Sequence, residues 1–230
     1  MAADVEPEPG TERVARRAEA IRLADTIRRV IDRLVNTRAP ASGLAVAADR
    51  LEELVDYLEP FPQGRFYEGF AEAANAGDPT AVFDHSPLMG RANPLAPPIR
   101  LDVVGERVSG RATFGNAYEG PPGCVHGGLI AAAFDDVLGL AQTLAGAPGM
   151  TGTLTVVYRS PTPLHTELTL AGWIDRRDGR KTFAKGTIHD GDRLCAEADA
   201  VFIAISADRF RALRDAREQG MAERRSTPDR

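Results

Sequence analysis

The segment of residues 119–136, EGPPGCVHGGLIAAAFDD, most constrains what this chain can fold into, because it joins a proline- and glycine-rich loop to an apolar helix. The apolar residues after His126 predict a helix over residues 127–145. A helix start presents free backbone N–H groups and favours negative charge. The same helix carries Asp135 and Asp136, and a carboxylate among apolar residues is costly unless it has a partner or a task. This one segment therefore predicts an oxyanion site together with a base or nucleophile.

Composition is that of a soluble globular protein. The chain has 230 residues, of which 43% are hydrophobic, enough for a substantial core. The net charge of −5 is spread over both signs without a basic stripe, so no nucleic-acid partner is expected. Its longest apolar stretch, residues 129–144, is interrupted by polar residues and is too short to span a membrane. The acidic first ten residues are the opposite of a signal peptide, so we expect a cytoplasmic protein.

Residues 1–95 predict a helical N-terminal extension and connector, beginning with a disordered stretch. Apolar residues recur every three or four positions over residues 20–34 and again over residues 44–58, which predicts two amphipathic helices. The apolar stripes of this helix pair are typical of docking faces, which would pack either on the main domain or on a partner subunit. Residues 63–98 are rich in Gly, Pro, Asn and Ala and predict an irregular connector.

Residues 96–206 predict one α+β domain, and residues 207–230 a charged C-terminal helix or tail. Two strands precede the apolar helix and four follow it; the predicted strands are residues 99–104, 106–114, 150–159, 167–176, 181–189 and 193–205. Asp178-Gly179 and Asp190-Gly191 are typical of hairpin turns. One helix can cover one face of a curved antiparallel sheet of this size.

This order of elements resembles the hotdog-fold acyl-CoA thioesterases, in the branch of the 4-hydroxybenzoyl-CoA and phenylacetate-pathway enzymes. Over residues 99–205 the resemblance is carried by the motif GCVHGGLIAAAFDD, by Asp135 nine residues after His126, by Thr151 opening the next strand and by Tyr158-Arg-Ser-Pro161 closing it. It implies a hotdog fold, in which a curved antiparallel sheet wraps a central helix. It also implies that two subunits join their sheets edge to edge, with the site at the dimer interface.

The resemblance further implies roles for single residues. Asp135 is the nucleophile or the base for water, Gly127 or Gly128 supplies a backbone N–H that polarises the thioester carbonyl, and Thr151 is a polar helper that orients water. Some relatives carry an asparagine a few residues before the His-Gly-Gly, where this chain has Glu119-Gly120. The residue that positions the substrate carbonyl or water in those relatives is therefore missing here.

The spacing along the helix supports a shared site independently. Asp135 follows Gly127 by eight residues, about 12 Å along a helix. Reacting atoms must approach to roughly 3–3.5 Å, so this carboxylate cannot attack a carbonyl held at its own helix start. Either the two features are unrelated, or the Asp of one subunit meets the helix start of another. We expect a homo-oligomer, either a dimer or a dimer of dimers.

Several residues have a second interpretation. Helical periodicity separates Asp135 only slightly from Asp136, and the resemblance decides for the former. His126 is either a general base or, more commonly at a helix start, a residue that holds the loop by hydrogen bonds. Arg180 and Lys181 beside a hairpin can contact the phosphates of coenzyme A, although a solvated hairpin is the commoner reason for such charges. No metal is expected, because His85, His165 and His189 have no carboxylate or cysteine at ligand spacing.

The leading function is hydrolysis of an acyl-CoA thioester to a free acid and CoA. Coenzyme A is then part of the substrate, and because a thiolate leaves readily, no cofactor is needed. One alternative is a non-catalytic acyl-CoA-binding or assembly module that uses the N-terminal helices as its interaction surface. A hotdog hydratase or dehydratase is less compatible, since such relatives pair an Asp with a His five residues on, where this chain has Leu140-Ala141.

Overall fold

The computed structural model describes residues 10–62, 84–97, 99–105, 107–144 and 149–206, and two single positions beyond them. The chain divides into two compact units. One comprises Met1–Ile99 and Thr113–Glu119, and the other Arg100–Ala112 and Gly120–Arg230.

The second unit is built on a six-stranded sheet with strand order β1-β2-β4-β5-β6-β3. Its strands are β1 (Arg100–Val104), β2 (Arg107–Thr113), β3 (Gly149–Tyr158), β4 (Glu167–Asp178), β5 (Lys181–Asp190) and β6 (Arg193–Ala204). The β1–β2, β4–β5, β5–β6 and β3–β6 pairs are antiparallel. Gly179 and Gly191 have φ of 54° and 57°, the left-handed conformation that a tight hairpin turn requires. The predicted α+β architecture and its turns are confirmed.

One helix, α3 (Gly127–Leu144), packs against β3, β4, β5 and β6. Its bounds agree with the predicted 127–145 to within a residue. The helix is buried along the face that periodicity predicts; the residues are Ile130, Phe134, Val137 and Ala141, each at most 3% exposed. Removing these side chains from water stabilises this unit. The sheet therefore fixes the distance of α3 from the sheet and the rotation of the helix about its own axis.

A pair of facing glycines lets α3 lie close to the sheet. Gly172 on β4 is directly opposite Gly186 on β5. A Cβ atom added at Gly172 would lie 2.8 Å from Val137 Cγ1 of the helix. At Gly186 it would lie 2.8 Å from the Ala171 carbonyl oxygen, with Phe134 Cδ1 at 3.3 Å. Neither position has room for a side chain, so the two glycines set the distance between helix and sheet.

Gly186→Ala should therefore lower the free energy of unfolding by about 1–3 kcal/mol, the usual cost of overpacking a core. The clash is with a backbone carbonyl, which cannot turn away as a side chain can. Urea denaturation measures the effect as a lower midpoint with an unchanged slope. A midpoint equal to that of the wild type would show that Gly186 has room for a side chain beside β4 and α3.

In the first unit, helix α1 (Gly10–Asn36) holds the loop of residues 84–97 through two arginines. The Arg28 guanidinium donates hydrogen bonds of 2.7–3.1 Å to four backbone carbonyls of that loop, those of Gly90, Arg91, Asn93 and Ala96. Arg17 of the same helix pairs with the buried Asp84. The part of the predicted connector that the structure describes is thus a series of turns whose carbonyls are satisfied by α1.

The second predicted amphipathic helix is present as α2 (Ala41–Leu58), and none of its residues is buried. Its apolar stripe remains open; three of its members, Leu44, Leu51 and Val55, are 40%, 41% and 65% exposed. A docking role for this stripe stays a prediction. Within the described ranges no helix is both long and apolar enough to cross a membrane. The predicted charged C-terminal helix falls outside the described residues, apart from single positions.

Candidate active site

A hydrogen-bonded loop leads into α3. Gly120 N–H donates to the Cys124 carbonyl at 2.9 Å, and Val125 N–H to the Thr162 carbonyl at 2.9 Å. A Cβ at Gly120 would lie 2.7 Å from His126 Cα, so only glycine permits this close approach. Because the loop is tied to itself and to Thr162, the residue that begins the helix has a fixed position.

His126 caps the start of α3. Its carbonyl oxygen accepts the N–H groups of Leu129 and Ile130, and its imidazole Nδ1 accepts the Gly128 N–H at 3.0 Å. The Ile130 bond is the first regular i to i−4 bond of the helix, whereas the bonds of Gly128 and Leu129 satisfy two of the N–H groups that a helix start leaves without such a partner. Among the described residues, no acceptor is found for another of these groups, the Gly127 N–H. Of the two glycine N–H groups predicted to polarise a carbonyl, that of Gly127 is the one without a partner among the described residues.

The carboxylate of Asp135 is held by Thr151. The Thr151 hydroxyl donates to Asp135 Oδ1 at 2.8 Å. Asp135 is half-buried on α3, and Thr151 is exposed on the edge strand β3. Within the described part of the chain, no donor is found for the second oxygen, Oδ2. One oxygen is thus oriented by a hydroxyl while the other is able to take a proton or attack a carbon.

Burial does not distinguish Asp135 from its neighbour Asp136, because both are half-buried. The contact with Thr151 does distinguish them. It joins the two residues that the resemblance had placed in one site, sixteen positions apart in the sequence.

Sequence reasoning missed one contact at the helix start. The Tyr158 hydroxyl donates to the Gly127 carbonyl oxygen at 2.8 Å, although Tyr158 had been noted only as the end of a strand motif. Tyr158 faces Gly127 because β3 contains a β-bulge. The β3–β6 register shifts between Thr151 and Thr153. An odd separation of seven residues would normally put Thr151 and Tyr158 on opposite faces of β3, and the extra residue brings them to the same face. The signal that would have indicated the bulge is Gly152 inside a strand.

The hairpin that carries Arg180 and Lys181 lies across the sheet from the Asp135–Thr151 pair. Lys181 is opposite Ile203 of β6, which is opposite Met150 of β3. Two strand spacings therefore separate Lys181 from the start of β3, roughly 10 Å. Arg180 donates to the Ala204 carbonyl at 3.1 Å and is exposed. A phosphate contact for Arg180 and Lys181 remains a prediction.

The cysteines show no sign of reactivity. Cys195 is fully buried, with its sulfur 3.7 Å from the carbonyl oxygens of Pro161 and Arg193, and Cys124 is half-buried in the loop. No cluster of three His, Cys, Asp or Glu side chains suited to a metal is found in the described ranges. The candidate catalytic groups are therefore the Asp135–Thr151 pair, as base or nucleophile, and the Gly127 N–H, as oxyanion donor.

Three comparisons with known proteins bear on these groups. The sequence profile of the thioesterase superfamily matches residues 122–197. Acyl-coenzyme A thioesterase THEM4 of Xenopus laevis is 38% identical over 93 residues, which are 40% of this chain and 42% of that protein. THEM4 of Mus musculus is 34% identical over 93 residues, 40% of each chain. This chain thus spans about two fifths of the length of the curated relatives it matches.

One solved structure matches this chain over most of the length of both proteins. It is the crystal structure of a thioesterase superfamily protein, 35% identical to this chain, with a TM-score of 0.71. The match covers 80% of this chain and 90% of that one, and so includes far more than the sheet and its helix. Fold and sequence agree across both chains, and this chain therefore belongs to the thioesterase superfamily.

Proposed function

We propose that the protein hydrolyses an acyl-CoA thioester to a free acid and CoA. The observation that carries this proposal is the Asp135–Thr151 hydrogen bond, on the same helix whose first N–H, that of Gly127, has no partner among the described residues. The curated relatives named acyl-coenzyme A thioesterase support the choice of substrate class. These residues supply the two parts that acyl transfer requires, a group that activates or performs attack and a donor for the developing oxyanion.

Two routes through Asp135 give the same products. In one, the carboxylate takes a proton from water as the water oxygen adds to the thioester carbon. In the other, the carboxylate oxygen itself adds, expels the thiolate as a mixed anhydride forms, and water then hydrolyses the anhydride. In both, negative charge collects on the carbonyl oxygen, the C–S bond breaks, and CoA leaves as its thiolate and takes up a proton. Thr151 serves either route by holding Oδ1, which directs Oδ2 to the reacting atoms.

We assign the oxyanion donor to Gly127 of a second copy of the chain. The eight residues from Gly127 to Asp135 span about 12 Å of helix, too far for both to touch one carbonyl. β3 is an edge strand of the sheet and carries Thr151, so edge-to-edge pairing brings a second copy to the site. A two-fold axis then gives two equivalent sites per dimer. Gly128 and His126 support this donor through the helix cap, and Arg180 and Lys181 are the candidates for the CoA phosphates.

The test is release of free thiol from a panel of acyl-CoA esters, with aliphatic, aryl and hydroxyaryl acyl groups. We expect turnover of at least one ester, with the free acid and CoA formed in equal amounts. Tight binding of acyl-CoA without thiol release would favour a binding module instead. Addition of water to an enoyl-CoA with the thioester intact would favour a hydratase. Either outcome would refute the proposed hydrolysis.

A further inference from the structure

The peptide between Gly127 and Gly128 is held at both of its polar atoms by side chains. Its carbonyl oxygen accepts the Tyr158 hydroxyl at 2.8 Å, and its N–H donates to His126 Nδ1 at 3.0 Å. The Tyr158 ring also lies against Gly127, since a Cβ there would be 3.4–3.5 Å from the phenol atoms. Two consecutive glycines would otherwise be the most flexible point of the helix start. The hydrogen bonds with Tyr158 and His126 therefore fix the orientation of a peptide that two glycines would otherwise leave free to rotate.

The strand that supplies Tyr158 also supplies Thr151. Both face α3 because of the bulge at Gly152, and they contact the helix at positions eight residues apart. β3 therefore orients the carboxylate at one point and the helix start at the other. Within the described residues, no other strand is found to donate a side-chain hydrogen bond to the Asp135 carboxylate or to Gly127.

We propose that Tyr158 is a positioning residue, which acts by fixing the direction of the Gly127 N–H. This inference rests on the proposed function, in which that N–H is the oxyanion donor. Tyr158 holds the peptide that follows the donor, and His126 alone would hold it if the hydroxyl were removed. An N–H that moves away from the carbonyl oxygen by about 1 Å can cost up to a hundredfold in rate. The hydrogen bond itself contributes only about 1 kcal/mol to folding, so its loss leaves the fold intact.

The proposal predicts a split between kcat and KM in Tyr158→Phe. The ring and its packing on Gly127 remain, and only the hydroxyl is lost. We expect kcat for thiol release to fall about ten- to a hundredfold, with KM within about twofold of the wild type. Tyr118→Phe is the matched control, because the Tyr118 hydroxyl also donates to a backbone carbonyl, that of Ala96 at 3.2 Å. Melting curves of both variants should show small shifts, while the control keeps the wild-type kcat.

A double substitution separates positioning from a general structural effect. Gly127→Pro removes the N–H that Tyr158 is proposed to direct. Adding Tyr158→Phe to Gly127→Pro should then lower kcat no further. A kcat for Tyr158→Phe within twofold of the wild type would overturn the inference, as would losses that multiply in the double variant. A wild-type protein that releases no thiol would instead refute the proposed function, and the two failures are thereby distinguished.

Discussion

Asp135→Asn should lower kcat for thiol release by about 10²–10⁴-fold, the range that loss of a catalytic base or acid produces. The amide has the shape of the carboxylate but neither accepts a proton nor attacks a carbonyl carbon at neutral pH. The Thr151 hydroxyl can still donate to the amide oxygen, as it does to Asp135 Oδ1 in the structure. The folded state should therefore persist. Steady-state thiol release, with a melting curve for each protein, measures both properties.

Asp136→Asn is the matched control for this substitution. It makes the same chemical change one residue further along α3, at a side chain that is equally half-buried. Helical rotation of about 100° directs it away from the face on which Asp135 lies. We expect its kcat to stay within a few-fold of the wild type. Full activity in Asp135→Asn, or a large loss only in Asp136→Asn, would show that the catalytic carboxylate has been misassigned.

The sequence sufficed for those features that depend on local chemistry. The apolar face of α3 was predictable because Ile130, Phe134, Val137 and Ala141 recur with helical periodicity, and each is buried. The turns were predictable because Asp-Gly pairs favour the left-handed conformation found at Gly179 and Gly191.

Features that depend on pairing between distant segments could not be predicted in this way. The bulge at Gly152 arises where β3 pairs with β6, fifty residues further along the chain, and it decides which β3 side chains face α3. The contact between Tyr158 and Gly127 follows from that register. The sequence also could not tell which glycine N–H is bonded, because the Gly128 N–H donates to the Nδ1 atom of His126 and no sequence pattern gives the orientation of that ring.

The other large effect is expected at Gly127, where proline removes the proposed oxyanion donor with little disturbance. Gly127 is the first residue of α3, the position at which a helix best tolerates proline, since its φ suits the ring and its N–H has no helical partner. We expect Gly127→Pro to lower kcat by about 10²–10³-fold, the cost of removing one oxyanion donor.

Gly127→Ala is the control for the proline variant, because it retains the N–H. Its Cβ would meet the Tyr158 ring at an ordinary contact distance of 3.4–3.5 Å. We expect Gly127→Ala to keep activity within a few-fold of the wild type. Equal activity in the proline and alanine variants would show that the Gly127 N–H takes no part in the reaction.

Mixed dimers of Asp135→Ala and Gly127→Pro chains test whether the two groups act across a subunit interface. Each parent homodimer carries two damaged sites, so both should be nearly inactive. If Asp135 of one chain works with Gly127 of its partner, a mixed dimer has one site with both defects and one with neither. Its activity should then recover to about half that of the wild-type dimer, by the equivalence of two isologous sites.

Differently tagged chains allow the mixed dimer to be purified, and sedimentation at assay concentration should show that the active species is at least a dimer. If both groups instead act within one chain, every chain of the mixed dimer carries a damaged site and activity does not return. Inactive mixed dimers of well-folded parents would thus refute the shared site. They would leave Asp135 and Gly127, about 12 Å apart on one helix, without a common carbonyl to act on. The oxyanion donor would then have to be sought within reach of Asp135 on its own chain.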